Sequence, residues 1–169
     1  MERVILVDEN DTPLGTMEKM EAHEKGVLHR AFSVFIFNSE GEMLLQQRAF
    51  SKYHSGGLWT NTCCSHPKEG ESTMEAAHRR LKEEMGFDCE IKEVFDFIYK
   101  KKLDKGLTEH ELDHVFTGEY EGEVKFNPEE VSAYTYKPIQ EVLSEVVQFP
   151  EKYTEWFKIC LDEVVKRTL

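Results

Sequence analysis

The chain has 169 residues, enough for one domain spanning 1–169 with a core of its own. Hydrophobic residues make up 40% and charged residues 32%, the balance of a soluble globular protein. With 21 Lys and Arg against 33 Asp and Glu, the net charge of −12 repels nucleic acid and anionic membranes, so an anionic substrate needs a local cationic patch or a metal.

No apolar run approaches the length of a membrane span. The opening "MERVILVDEN" carries charge within its first three residues, and its short apolar run reads as a first strand rather than a signal peptide. The expected location is the cytoplasm. Four cysteines, Cys63, Cys64, Cys89 and Cys160, are too few and too irregular for a disulfide scaffold, so free thiols are expected.

After the strand "RVILVD", "ENDTPLG" reads as a turn. "HRAFSVFIF" is a strand buried on both faces. The turn "NSEG" and the strand "EMLLQQR" follow it. "WTNTCCS" alternates and is extended. "STMEAAHRRLKEEMG" is the clearest helix: Ser72 or Thr73 caps it, Gly86 ends it, and Met74, Ala77, Leu81 and Met85 lie on one face. "CEIKEVFDFIYKK", "TEHELDHVFTGEYEG" and "VSAYTYKP" are three more strands. Pro138 opens the helix "PIQEVLSEVVQF", and "PEKYTEWFKICLDEVVKRTL" is a last helix. The layout is α+β, a mixed sheet sandwiched between helices.

The stretch "WTNTCCSHP" raises the first chemical question. Residues two apart on a strand share a face, so Cys64 and His66 point one way while Cys63 and Ser65 point the other. One cysteine faces whatever His66 faces, and the other is a small buried hydrophobe. In "EHELDH", Glu109 and Glu111 share a face, with Asp113 beyond them. Carboxylates beside a core strand cost free energy unless a cation or proton compensates. His23 and His29, each a surface or capping residue if taken alone, combine with His66, Glu109 and Glu111 into three imidazoles and two carboxylates. That set suits Mn²⁺, Mg²⁺ or an expanded Zn²⁺ site. On the helix, Arg80 and Glu84 lie four apart. They are either an exposed ion pair worth a few tenths of a kcal/mol or part of a face that presents carboxylates to a metal on a diphosphate.

The helix resembles the Nudix box, a glycine-led pattern ending Arg-Glu-apolar-x-Glu-Glu-x-Gly. Ser65 stands in place of the leading glycine, and Arg80 in place of the glutamate that follows Arg79. That glutamate helps bind metal in Nudix hydrolases, so its replacement argues against hydrolysis. The rest of the chain is similar to type I isopentenyl-diphosphate Δ-isomerases, a Nudix-fold family that does not hydrolyse. The similarity runs through "LGTMEKMEAH", "LHRAFSVFIFN", "LLQQRAFSK", "WTNTCCSHP", "RRLKEEMG", "EHELDHVF" and "YTEWF".

The resemblance implies conversion of isopentenyl diphosphate to dimethylallyl diphosphate in isoprenoid biosynthesis. It implies Cys64 and Glu111 as the proton-transfer pair, and His23, His29, His66, Glu109 and Glu111 as ligands of a divalent metal (Mn²⁺, Mg²⁺ or Zn²⁺). Glu84 would bind a Mg²⁺ carried by the diphosphate. Lys19, Arg48, Lys52 and Arg80 would surround that diphosphate, and Tyr99 and Trp156 would line the hydrocarbon pocket. The expected partner is a small diphosphate, with no nucleic acid or membrane, and the expected state is a monomer or weak dimer. Two other readings stand beside it: a Nudix hydrolase of a diphosphate substrate, and a non-catalytic zinc-stabilised module closed by Cys64, His66, His23 and His29.

Overall fold

A computed structural model describes residues 2–168. In chain order the elements are β1 (Arg3–Val7), β2 (Pro13–Glu18), α1 (Lys19–Lys25), β3 (His29–Phe37), β4 (Glu42–Arg48), β5 (Trp59–Thr60), β6 (Cys63–Ser65), α2 (Thr73–Arg80), β7 (Ile91–Lys102), β8 (Thr108–Glu119), β9 (Val131–Pro138), α3 (Ile139–Gln148) and α4 (Glu155–Thr168).

The strand predicted to be buried on both faces is the hub. β8 runs parallel to β3 along its whole length, pairing His29 with Glu111 through Phe37 with Glu119. The other edge of β3 is shared. β1 meets it at His29, β6 at Phe32–Val34 and β4 at Phe37. β7 extends the sheet antiparallel to β8, β9 antiparallel to β4, and β2 antiparallel to β1.

Alternation along β3 and β4 builds two cores. Phe32, Val34, Ile36 and Leu44 pack with Ala76, Ala77, Leu81 and Met85 of the α2 region. Phe35, Phe37, Met43 and Leu45 pack with Ile139 and Val142 of α3 and with Phe157, Leu161 and Val164 of α4. The sheet is therefore mixed and covered by helices on both faces, as the α+β pattern requires.

Four local expectations change. Beyond the predicted turn lie β2 and α1, which the short polar segment did not announce. Extended "WTNTCCS" divides into β5 and β6, because Asn61 and Thr62 turn their side chains to the backbone. Asn61 Nδ2 donates to the carbonyls of Val34 (3.0 Å) and Cys63 (2.8 Å), and Thr62 Oγ1 donates to that of Leu44 (2.7 Å). Met74 is 37% exposed rather than part of the buried face, which Ala76 and Ala77 supply instead. The last helix begins at Glu155. Before it, Tyr153 bridges to Trp59, and the Thr154 N–H donates to the Trp59 carbonyl at 3.0 Å.

The predicted central helix is capped by Ser72. Its Oγ accepts the Glu75 N–H, and the Glu75 carboxylate accepts the Ser72 N–H, both at 3.0 Å, a reciprocal capping box. After Arg80 the helix widens into a π-turn, Leu81–Met85, and stops at Gly86. Gly86 has φ +73°, and a Cβ there would lie 2.1 Å from the Lys125 carbonyl oxygen, so no side chain fits. Ser72→Ala is expected to cost about 1 kcal/mol by loss of the cap. That corresponds to a melting temperature lower by roughly 2–4 °C; an unchanged melt would contradict the capping role.

Candidate active site

One cavity gathers most of the residues singled out in the sequence. It is lined by Lys19, Arg48, Lys52, Cys64, His66, Arg80, Glu109, Glu111 and Trp156, together with Tyr53, His54, Glu130 and others. Strand register explains the assembly. His29 and Glu111 are partners across β3 and β8, and His29 Nε2 lies 3.1 Å from Glu111 Oε2. Ser33 and Cys64 are partners across β3 and β6. Cys64 and Glu111 thus reach the cavity from opposite edges of β3.

The cysteine doublet separates as the alternation predicts. Cys63 is fully buried in the core under α2, and Cys64 faces the cavity with His66. Ser65 departs from the alternation by lining the cavity too, because β6 ends there. Burial pushes the Cys64 thiol well above its ordinary range, so it is held as the neutral S–H.

His23 and His29 are fully buried, not surface or capping residues. Their Nδ1 atoms sit 2.7 Å from the Lys19 carbonyl and 2.9 Å from the Val27 carbonyl. A carbonyl only accepts, so Nδ1 carries a hydrogen and Nε2 turns inward, where it donates to a carboxylate oxygen and would instead offer its lone pair to a bound cation. His66 Nε2 lies 2.8 Å from Glu111 Oε2, and His23 Nε2 lies 3.3 Å from Glu109 Oε1. Ligand atoms of His23, His29, His66 and Glu111 all fall within 4.8 Å of one another.

Burial opposes ionisation of Glu111. The bonds from His29 and His66 outweigh it and hold the carboxyl well below the usual range. Asp113 shows the opposite balance. It is buried, Glu111 adds repulsion, and its carboxyl is pushed well up despite the Ser33 hydroxyl that donates to it at 2.8 Å. Glu109 Oε2 and His54 Nε2 are buried without a hydrogen-bond partner. Buried carboxylates among inward-facing imidazoles, with polar atoms left unsatisfied, are what a divalent cation relieves. The donor set fits one.

The cations each have a partner. Lys19 pairs with Glu2 at 2.8 Å and Lys52 with Glu130 at 2.5 Å. Arg80 pairs with Glu84 at 2.8 Å and with Glu130 at 3.3 Å. The Arg80–Glu84 pair is not the exposed bridge of the first alternative, since its side chains are only 16% and 5% exposed. Glu84 also accepts from Gln46 Nε2 at 3.0 Å. The Arg48 guanidinium lies 5.2 Å from the Trp156 ring centre.

Tyr99, expected in the hydrocarbon pocket, stands beside Glu111. The two are partners across β7 and β8, and the phenol donates to Glu111 Oε1 at 2.7 Å. Tyr53, His54, Glu2 and Glu130 were missed in the sequence. Only the proximity of Tyr53 and His54 to Lys52 hinted at them.

A NUDIX domain model matches residues 27–157. An isopentenyl-diphosphate Delta-isomerase of Pectobacterium atrosepticum is 55% identical over 161 residues, covering 95% of this chain and 90% of that protein. The chain belongs to the Nudix isopentenyl-diphosphate Delta-isomerase family. A second member of the isomerase family, isopentenyl-diphosphate Delta-isomerase 2 of Aromatoleum aromaticum, is 50% identical over 164 residues, 97% of this chain and 87% of its own. Among solved structures, DR0079 from Deinococcus radiodurans superposes with a TM-score of 0.80 at 18% identity, over 96% of this chain and 98% of its own. A MutT protein from Methanosarcina mazei gives 0.69 at 18% identity, over 83% of this chain and 94% of its own. These two share the fold of the isomerase family, and their identity is too low to carry more.

Proposed function

We propose that the chain interconverts isopentenyl diphosphate and dimethylallyl diphosphate, moving one carbon–carbon double bond by adding a proton at one carbon and removing one from another. The observation that carries this reading is the complementary pair in the cavity. Cys64 is a neutral thiol with a proton to give, and Glu111 is a carboxylate with room for one. They approach from opposite edges of β3, so a flat alkene between them meets one group on each face. Tyr99 fixes the orientation of Glu111 through its hydrogen bond.

Lys19, Arg48, Lys52 and Arg80 hold the diphosphate, with Lys19, Lys52 and Arg80 exchanging their carboxylate partners for phosphate oxygens. That binding energy positions the distant alkene against Cys64 and Glu111. Trp156 presents an aromatic ring to the tertiary cation that forms, with Arg48 anchoring the ring. A divalent cation, Mn²⁺, Mg²⁺ or Zn²⁺, held by His23, His29, His66, Glu109 and Glu111 would balance the buried carboxylates and set the basicity of Glu111, while Mg²⁺ arriving with the diphosphate would meet Glu84. Four free cysteines accord with a reducing compartment such as the cytoplasm. No helix among the described residues is long and apolar enough to cross a membrane.

Turnover in D₂O tests the reading. Deuterium is expected on the former vinylic methylene carbon and on the carbon next to the CH₂–O group, with no phosphate released. A hydrolase breaks a phosphorus–oxygen bond and leaves the carbon skeleton unlabelled. Phosphate appearing as fast as substrate disappears, with no carbon-bound deuterium by NMR, would overturn the isomerase. Neither process in fully metallated protein would favour a binding module.

A further inference from the structure

We infer that Tyr53 is a positioning residue for the diphosphate: the face of its ring seats the Lys19 ammonium and leaves the charge of that ammonium free for phosphate. This rests on the diphosphate-binding role of Lys19 and Lys52 proposed above.

Tyr53 lies in the loop between β4 and β5, next to Lys52, and it lines the cavity. Lys19 comes from a distant segment, at the start of α1, and its Nζ stands 4.2 Å from the centre of the Tyr53 ring. Lys52 Nζ lies 5.9 Å from the same centre. Two cations of the site thus converge on one aromatic ring, within the roughly 6 Å at which a ring quadrupole attracts a cation. The ring itself is held. His54 crosses it at 4.3 Å between ring centres and 72°, and His23 at 5.3 Å and 83°, so turning it breaks both packings. The loop is tied to the β7–β8 connection on either side of Tyr53. The Ser55 N–H donates to Asp104 Oδ1 at 3.1 Å, and Lys105 Nζ donates to the Lys52 carbonyl at 3.4 Å.

The other partners of the two lysines are carboxylates, which act differently. Glu2 pairs with Lys19 at 2.8 Å and Glu130 with Lys52 at 2.5 Å. A carboxylate offsets the ammonium charge and occupies an N–H donor, so it competes with phosphate. The Glu2 side chain is also 47% exposed, and an ion pair to a solvated carboxylate fixes little. An aromatic face attracts the ammonium without neutralising it. Lys19 can therefore exchange Glu2 for a phosphate oxygen while its head stays over the ring. Without the ring, the released lysine regains the rotamers of a long side chain, and ordering it again opposes binding. Filling space against the two imidazoles is the rival account of Tyr53, and an aliphatic side chain would serve that purpose as well.

Inorganic diphosphate with Mg²⁺, titrated into the metal-loaded protein by calorimetry, separates the two. Tyr53→Leu is expected to weaken its binding by between about 5- and 30-fold, the range of a partly desolvated cation–π contact. Tyr53→Phe keeps the ring and is expected to recover affinity to within about twofold of wild type. Mono-, di- and trifluorinated phenylalanine at position 53 should weaken binding stepwise, because fluorine withdraws electron density from the ring face at nearly constant size. The KM for isopentenyl diphosphate should follow the same order, with kcat changing less. A flat fluorine series overturns the inference. So does a Tyr53→Phe protein as weak as Tyr53→Leu, or a folded Tyr53→Leu protein within about twofold of wild type. If Tyr53→Leu does not fold, the fluorine series decides alone. The two readings fail separately. A graded series with phosphate release in place of carbon-bound deuterium keeps Tyr53 and removes the isomerase, while a flat series with deuterium in carbon–hydrogen bonds does the reverse.

Discussion

Cys64→Ala is expected to lower turnover of isopentenyl diphosphate by at least about 10²-fold, the low end of what a positioned acid–base group contributes. Cys63→Ala is expected to leave the rate close to wild type and to cost about 1 kcal/mol of stability, a typical penalty for a small core truncation. The two thiols are chain neighbours with opposite surroundings. The Cys64 thiol faces a cavity of cations, imidazoles and carboxylates. The Cys63 thiol packs among Val34, Leu44 and Leu81 in the core under α2. Removing the first deletes the transferable proton and leaves space at the reacting face. Removing the second deletes buried volume and a neighbour of Glu84. Steady-state rates and thermal melts on both variants check this. Equal losses of activity in two folded proteins would remove Cys64 from the reaction.

Glu111→Gln is expected to abolish both turnover and tight metal binding, with a rate loss of about 10²–10⁴-fold. Glutamine keeps the shape and discards the charge. Glu111 is the point where three side chains meet. His29 and His66 converge on Oε2, Tyr99 donates to Oε1, and the β8 register holds its backbone against β3. An amide cannot serve both as a proton acceptor and as an anionic ligand, so the two losses should appear together. Glu84→Gln is the contrasting variant. Glu84 sits with Gln46 and Arg80 at the π-turn, on a different element. Its loss should raise the Mg²⁺ concentration needed for activity and leave the metal at the histidine site in place. Elemental analysis of the purified variants separates the cases. Metal lost from Glu84→Gln, or retained in Glu111→Gln, would contradict two distinct sites.

Much of this protein is carried by local pattern. Apolar residues on both sides of the strand mark β3 as buried on both faces. Apolar spacing, Ser72 and Gly86 mark the limits of the helical stretch. A period of two separates Cys63 from Cys64 and aligns Glu109 with Glu111. These features survive in the sequence because side-chain direction repeats every two residues in a strand and every 3.6 in a helix.

Other features depend on which segments meet. His29 contacts Glu111 across 82 residues of chain, only because β3 and β8 run parallel in one particular register. Trp156 reaches the cavity because Tyr153 and Thr154 return to Trp59, which breaks the long helix the sequence suggests. Glu130 meets Lys52 and Arg80, and His54 meets Glu109, through loops with no periodicity to read. Tyr99 stands beside Glu111 because the β7–β8 pairing puts it there. The sequence by itself determined most of the elements, but not β2 and α1, together with the two faces of the cysteine doublet and the residue types of the site. Tertiary structure alone decided the partners, because contact between distant segments is set by strand register and chain crossings, which no local repeat encodes.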